Sequence, residues 1–354
     1  MMELDGATFA AGSLGAPVAR ISNVEALALA KARFGIEGAI KRFDTEKDDT
    51  FRLSSRDGRN YTLKIANAAE NPLEITFQID LLRHLAETSP ALPVPRVIPD
   101  REGRSQFSYV DPAGQSREVH LLTYLEGVPL SEVTTGPTER EKVGEALGRL
   151  RLALAGFRHP GEAREIAWDV KNLLKLLPLL REIDDPAQRR LLEAGLERFE
   201  AIAGRLAKCR TQVLHNDFSK SNIVVDRSKA QFVTGIIDFG DAVHTAIAID
   251  VSTAVLNQLP SEQTADFFAH GSDLLRGYLR VSDLTEEELS LVPHLAMARA
   301  VTRALLTIWR GRLFPHNAPY IMRNTAQGWP QLAWFMDRTI ESISAQFLEA
   351  VTND

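Results

Sequence analysis

The sequence predicts an α/β chain of two lobes, a small antiparallel-sheet lobe followed by a larger, mostly helical one. Three observations carry this. Short alternating segments crowd the first part of the chain and include a hairpin signal, Arg56-Asp57-Gly58-Arg59. Apolar residues at helical spacing dominate almost everything after residue 135. One strand-rich island, residues 211–240, interrupts that helical stretch. The length of 354 residues suits two domains of ordinary size.

In chain order, residues 1–20 are rich in small residues and read as a flexible leader. Val24, Leu27, Ala28 and Phe34 share a helical face, and Gly35 ends that helix. Ile40–Phe43, Thr50–Leu53 and Asn60–Ile65 read as strands. Asn71-Pro72 opens a helix that runs to about Leu85, with the proline at its first position. Pro90–Pro99 is a proline-punctuated connector, and Gln106–Val110 with Glu118–Leu125 form a further hairpin. The first lobe thus spans 21–126 and the second 127–354. In the second, helical periodicity runs over Thr138–Ala155, Asp169–Arg181, Gln188–Ala207, Ser261–Leu279 and Glu286–Trp309.

Composition excludes several functions. Lys and Arg total 41 against 47 Asp and Glu, a net charge of −6, which lacks the basic bias of a nucleic-acid binder. The single cysteine, Cys209, excludes an intramolecular disulfide and a cysteine-rich zinc site. No apolar run approaches the roughly 18 residues of a membrane span. The first residues lack the basic start of a secretory signal, so the cytoplasm is the default compartment.

The chemistry lies in the island. His215, Asp217 and Asn222 stand in H-x-D-x-x-x-x-N spacing, followed by Gly235-Ile236-Ile237-Asp238-Phe239-Gly240-Asp241. Phosphoryl transfer needs a carboxylate to orient the attacking hydroxyl and hard oxygen ligands for a magnesium-bound triphosphate. Asp217 suits the first task; Asn222 and Asp238 suit the second. Each residue alone reads as an ordinary turn or cap, but the joint pattern is hard to obtain by accident. His215 reads as a brace for the turn.

These motifs resemble the aminoglycoside phosphotransferase and choline kinase superfamily of small-molecule kinases, over about residues 35–310. The resemblance implies a protein-kinase-like fold, with a five-stranded antiparallel lobe on a helical lobe and a cleft between them. It implies Asp217 as the catalytic aspartate, Asn222 and Asp238 on Mg²⁺, and Lys64 on the phosphates of ATP or GTP with Glu74 as its ion-pair partner. Glu70 is the alternative partner. Asp250 matches an acid that braces the catalytic loop. Val110, Leu122 and Leu125 would wall the base, and backbone groups of Leu122, Thr123 and Tyr124 would edge it. The turn Thr45–Thr50 departs from the pattern of a glycine-rich phosphate loop: it has no glycine and three acids, which are expected to face away from the phosphates or towards solvent, with Thr50 left to supply one contact.

Three pieces look most like the hydroxylysine-kinase branch: Asn71-Pro72 with Glu74 and Gln78, then Ala167-Trp168-Asp169, then Arg303 with Trp309-Arg310. The expected acceptor is therefore a small hydroxyl metabolite, an amino alcohol or a hydroxy amino acid such as hydroxylysine, with aminoglycoside- or homoserine-type kinases as alternatives. Its pocket is expected from Trp168, Asp169, Asp241, Trp309 and Arg310, with acids and aromatic faces for an ammonium group and Arg310 for a carboxylate. A nucleotide-binding pseudokinase is disfavoured because Lys64, Asp217, Asn222 and Asp238 are all present. A metal-dependent hydrolase would need more closely spaced ligands than eight scattered histidines offer. The choice of ATP or GTP and the oligomeric state stay open.

Overall fold

A computed structural model of the chain describes residues 12, 14–17, 20–261, 264 and 266–352. Most of the expected leader lies outside them, as do three residues just after Ser261. The described residues up to Glu126, with His159–Gly161, form one compact unit; Gly127–Arg158 with those from Glu162 onward form the other.

The first unit opens with α1 (Asn23–Phe34), which Ser22 and Glu25 cap reciprocally and Gly35 closes in the left-handed region. Strands β1 (Gly38–Arg42), β2 (Asp49–Ser55) and β3 (Asn60–Ile65) form a meander. The Asn71 side chain caps α2 (Pro72–Thr88), and Pro72 fills the first turn, where no N–H is needed. Then come β4 (Val97–Ile98), β5 (Phe107–Val110) and β6 (Ser116–Thr123). The sheet order is β1-β2-β3-β6-β4, with β5 also on β6, and every pairing is antiparallel. The sheet has six strands, not five. The extra one is a two-residue strand inside the proline-punctuated connector, too short to show an alternation. Phe51, Leu53, Leu63, Ile65, Val119 and Leu121 bury the sheet face that packs on Ala26, Leu29 and Ala30 of α1.

The second unit begins with β7 (Val128–Pro129) and α3 (Pro137–Leu154). Val170–Glu182, expected as an ordinary helix, is wound as 3₁₀ turns around Pro178. After α4 (Pro186–Leu206) come β8 (Thr211–Leu214), β9 (Ile223–Val225), β10 (Val233–Ile236) and β11 (Val243–Ala246). Then follow α5 (Ile247–Leu256), α6 (Ala269–Val281), α7 (Glu286–Leu313), α8 (Ala318–Ile321), α9 (Gly328–Met336) and α10 (Ile340–Thr352). Helices α3 and α6 cross backbone to backbone. A Cβ on Gly144 would meet the Leu274 carbonyl oxygen at 1.8 Å, and one on Gly277 would meet that of Glu141 at 1.9 Å.

Helix α7 exceeds the expectation that no apolar run would approach a membrane span. It is long and apolar enough to cross one, yet 94% of its apolar window is buried inside the protein. It is the core helix of this unit, buried nearly all round.

Candidate active site

In the first unit, strand register gathers the residues expected around the phosphates. Thr50 on β2 pairs with Lys64 on β3, and Lys64 pairs with His120 on β6. His120 is buried; loss of solvation, then the charge of Lys64, pulls its pKa down to about 3. Glu74 sits half-buried in the first turn of α2. Glu70 Oε1 lies 2.5 Å from Lys47 Nζ.

Asp48 and Asp49, two of the turn's three acids, are engaged within the protein rather than turned out to solvent. Asp49 is fully buried, 3.0 Å from Arg117 and also paired with Arg42, and it accepts the Ile21 N–H at 3.1 Å. Asp48 accepts the Asn67 N–H at 2.9 Å, and burial raises its pKa. The reason is sequence context: Arg42 on the adjacent strand β1 and Arg117 on β6, two strands away in the same sheet, both reach Asp49 and need a buried anion between them.

Two details of the expected base site change. Val110 pairs with Ser116, six residues along β6 from Leu122 and so about 20 Å away; it cannot share a wall with Leu122. The N–H groups of Thr123 and Tyr124 donate to the carbonyls of Arg96 and Asn60. Those two donors are already spent within the sheet.

In the second unit, register brings the two motifs to one place. Leu214 pairs with Val243, and Ile223 pairs with Ile236. The loop from β8 to β9 and the loop from β10 to β11 therefore leave the strands at the same end. His215 locks them together: its Nε2 lies 3.0 Å from the Ile237 carbonyl oxygen, and its Nδ1 accepts the Asp217 N–H at 3.3 Å. These partners assign the ring proton to Nε2. The Ile237 N–H donates to the Asn222 carbonyl, and Phe239 packs on the His215 ring at 4.7 Å. Asn216 and Asp238 take left-handed φ values of 62° and 61°, which short polar side chains tolerate best. Asp250 at the start of α5 accepts the Asn216 N–H at 2.7 Å, and burial raises its pKa to about 6.

Both oxygens of Asp217 are held. Asn222 Nδ2 donates to one at 2.7 Å, and the Arg299 guanidinium lies 3.3 Å from the other. The carboxylate nevertheless remains 29% exposed. Because Asn222 spends its Nδ2 on Asp217, its Oδ1 is left as the side-chain acceptor. That oxygen and the exposed Asp238 carboxylate are hard donors of the kind Mg²⁺ takes when phosphates and waters complete its shell.

A model of the phosphotransferase enzyme family matches residues 40–287. The chain belongs to this family. The phosphotransferase is 25% identical to the hydroxylysine kinase of Mus musculus over 351 residues, 93% of either chain. Among solved structures it is similar to a microcompartment-associated aminopropanol kinase, with a TM-score of 0.72 and 17% identity over 92% of this chain and 99% of that one. It is also similar to an amicoumacin kinase determined with AMP-PNP and Ca²⁺, with a TM-score of 0.66 and 16% identity over 89% and 97%. Both structures show the fold, the protein-kinase-like one that the motifs imply. With the family stands the enzyme class: a small-molecule kinase that phosphorylates a hydroxyl.

The phosphotransferase does not assemble the expected acceptor pocket. Asp169 is fully buried; it caps the 3₁₀ segment through the Lys171 N–H, accepts the Thr245 hydroxyl at 2.9 Å and pairs with Lys171 at 3.1 Å. It is a structural cap. Trp309 and Arg310 lie in the core of α7, about 15 Å along the helix from Arg299. Both side chains are buried there, so neither offers a surface to a ligand. Trp168 does reach the site, because Arg299 donates to its carbonyl and lies 5.1 Å over its ring, but that face is thereby taken. Asp241 stays beside Asp238 in the turn Phe239–Asp241.

Sequence reasoning missed Arg299. It stands 82 residues beyond Asp217, in an apolar helix where its neighbours gave no motif. It also missed Arg164, whose guanidinium donates to the Gly240 carbonyl at 2.5 Å.

Proposed function

We propose that the chain transfers the γ-phosphoryl group of ATP or GTP, with Mg²⁺, to the hydroxyl of a hydroxy amino acid or amino alcohol, with hydroxylysine the first candidate. One observation carries the reading. Asp217 is fixed at both oxygens, by Arg299 and Asn222, yet open to solvent, as a group must be that receives a hydroxyl in one orientation. A carboxylate oxygen has more than one acceptor site, so a held Asp217 still accepts the acceptor's O–H.

Asn222 Oδ1 and Asp238 would hold the divalent ion, which when bound neutralises charge on the phosphate oxygens. Lys64, kept on its strand between Thr50 and His120, takes the α- and β-phosphates, with Glu74 fixing its side chain. His215 and Asp250 keep the loop in place without touching substrate. The hydroxylysine kinase that matches over nearly the whole chain supports the acceptor. The AMP-PNP and Ca²⁺ of the amicoumacin kinase support a nucleotide donor and a divalent metal.

The experiment is an acceptor panel of hydroxylysine, homoserine, choline, ethanolamine, an aminoglycoside and a neutral sugar, each with ATP or GTP and with or without Mg²⁺. Phosphate should appear on an amine-bearing acceptor and only with the metal. Transfer to a neutral sugar alone would remove the amine from the proposal, and nucleotide binding without transfer to anything would favour a pseudokinase.

A further inference from the structure

We infer that Arg303, one turn beyond Arg299 on α7, binds a carboxylate of the acceptor, so that the enzyme selects hydroxy acids over amino alcohols. The inference rests on the reading of Asp217 as the group that receives the acceptor hydroxyl.

Arg299 and Arg303 are four residues apart, so their side chains leave the same face of α7. Arg299 has its partners: Asp217, the Trp168 carbonyl and the Trp168 ring. Arg303 has none of comparable strength. Among the described residues its hydrogen bonding amounts to one long contact, to the Asn324 carbonyl at 3.4 Å, and no carboxylate pairs with it. A guanidinium has five N–H donors, so most of its capacity is unspent. Two cations therefore share one anion, Asp217.

The surroundings feel that imbalance. Arg303 is half-buried, and its pKa is lowered to about 10, first by loss of solvation and then by Arg299, with Asp217 acting in the opposite sense. A half-exposed yet poorly solvated arginine beside a second cation favours an anion. The planar fork favours a carboxylate in particular, held by two parallel hydrogen bonds. One helical turn separates Arg303 from the residue that holds Asp217, about 6 Å along the axis. A short carbon chain spans that distance from carboxylate to hydroxyl. The role expected of Arg310 thus falls to a different arginine, two turns earlier on the same helix.

The test compares acids with the same molecules lacking the charge: hydroxylysine against its methyl ester, and homoserine against 3-aminopropan-1-ol. For the wild-type enzyme, kcat/KM should favour each acid by about tenfold to a hundredfold, the scale of a charge-assisted hydrogen bond. In Arg303→Gln that preference should collapse through a raised KM for the acids, with KM for nucleotide unchanged; Arg303→Lys should restore part of it. Equal use of acid and uncharged counterpart by the wild type would overturn the inference, and this arm needs no variant to fold. So would a rise in the nucleotide KM of Arg303→Gln with the acid preference intact, which would assign Arg303 to phosphate. Calorimetric binding of acid against ester is read without turnover. Should no acceptor be phosphorylated, the kinase reading fails, while a preference for the acid in binding still supports the carboxylate site at Arg303 and its absence still overturns it.

Discussion

Asp49 and Asp217 are both paired with arginine, and both stand in short polar stretches at the ends of strands. Their circumstances differ in every other respect. Asp49 is fully buried, and Arg117, Arg42 and the Ile21 N–H surround it. Asp217 has one arginine and one amide and keeps 29% of its side chain in solvent. A buried charge is tolerated only when its partners are permanent, so Asp49 is spent on holding the sheet. A reacting carboxylate must be oriented and still have room for one more partner. An arginine partner does not separate the two; counting partners against exposure does.

The largest effect should come from removing that remaining capacity. Asp217→Asn keeps size and shape, so the fold and nucleotide binding should survive while single-turnover transfer falls by about 10²–10⁴-fold or more. A variant with near wild-type turnover would return Asp217 to the status of a turn residue.

Asp49→Asn should show the converse. Breaking a buried ion pair and leaving arginines uncompensated costs about 3–5 kcal/mol of stability, read as a lower urea midpoint, with turnover per folded molecule little changed. Unaltered stability would break the comparison, because the two aspartates would then differ only in exposure.

Asp238→Ala sharpens the picture within the second unit. Loss of one of the two proposed hard oxygen donors should raise the Mg²⁺ concentration for half-maximal rate by about tenfold or more, with a stability cost of about 1–2 kcal/mol for alanine at a left-handed φ. An unchanged Mg²⁺ titration would leave Asp238 as a left-handed turn residue only.

What could be read in advance follows from distance along the chain. The loop motif was legible because His215, Asp217 and Asn222 are neighbours in sequence, and strand register then brings Asp238 to them. The hairpin at Asp57-Gly58 and the caps at Asn71 and Gly35 were legible for the same local reason. Arg299 was not, since only packing of α7 brings it to Asp217. Arg310 was misread because its turn of α7 packs into the core, whereas periodicity assigns charge to a solvent face. Val97–Ile98 is too short to alternate, and the 3₁₀ winding around Pro178 keeps a helical apolar pattern while changing the hydrogen bonds.

The most gradual effect is one of pH, and it has opposite signs in the two units. Burial raises the pKa of Asp250 to about 6 from an ordinary 3.8. Between those values the folded chain holds a proton that the unfolded chain has lost, so this group's contribution to stability falls as pH rises through the window. His120 runs the other way. Its pKa is held down to about 3 against an ordinary 6.5, so the unfolded chain takes up a proton that the folded chain refuses, and stability falls as pH drops below 6.5. Asn at 250 can still accept the Asn216 N–H, and Gln at 120 does not titrate. Urea unfolding from pH 4 to 7 should therefore show Asp250→Asn gaining on the wild type as pH rises to 6, and His120→Gln gaining as pH falls, each by up to about 3 kcal/mol. A difference that stays constant with pH in either variant would mean that its residue is solvated in the folded chain, and the burial argument for that unit would fail.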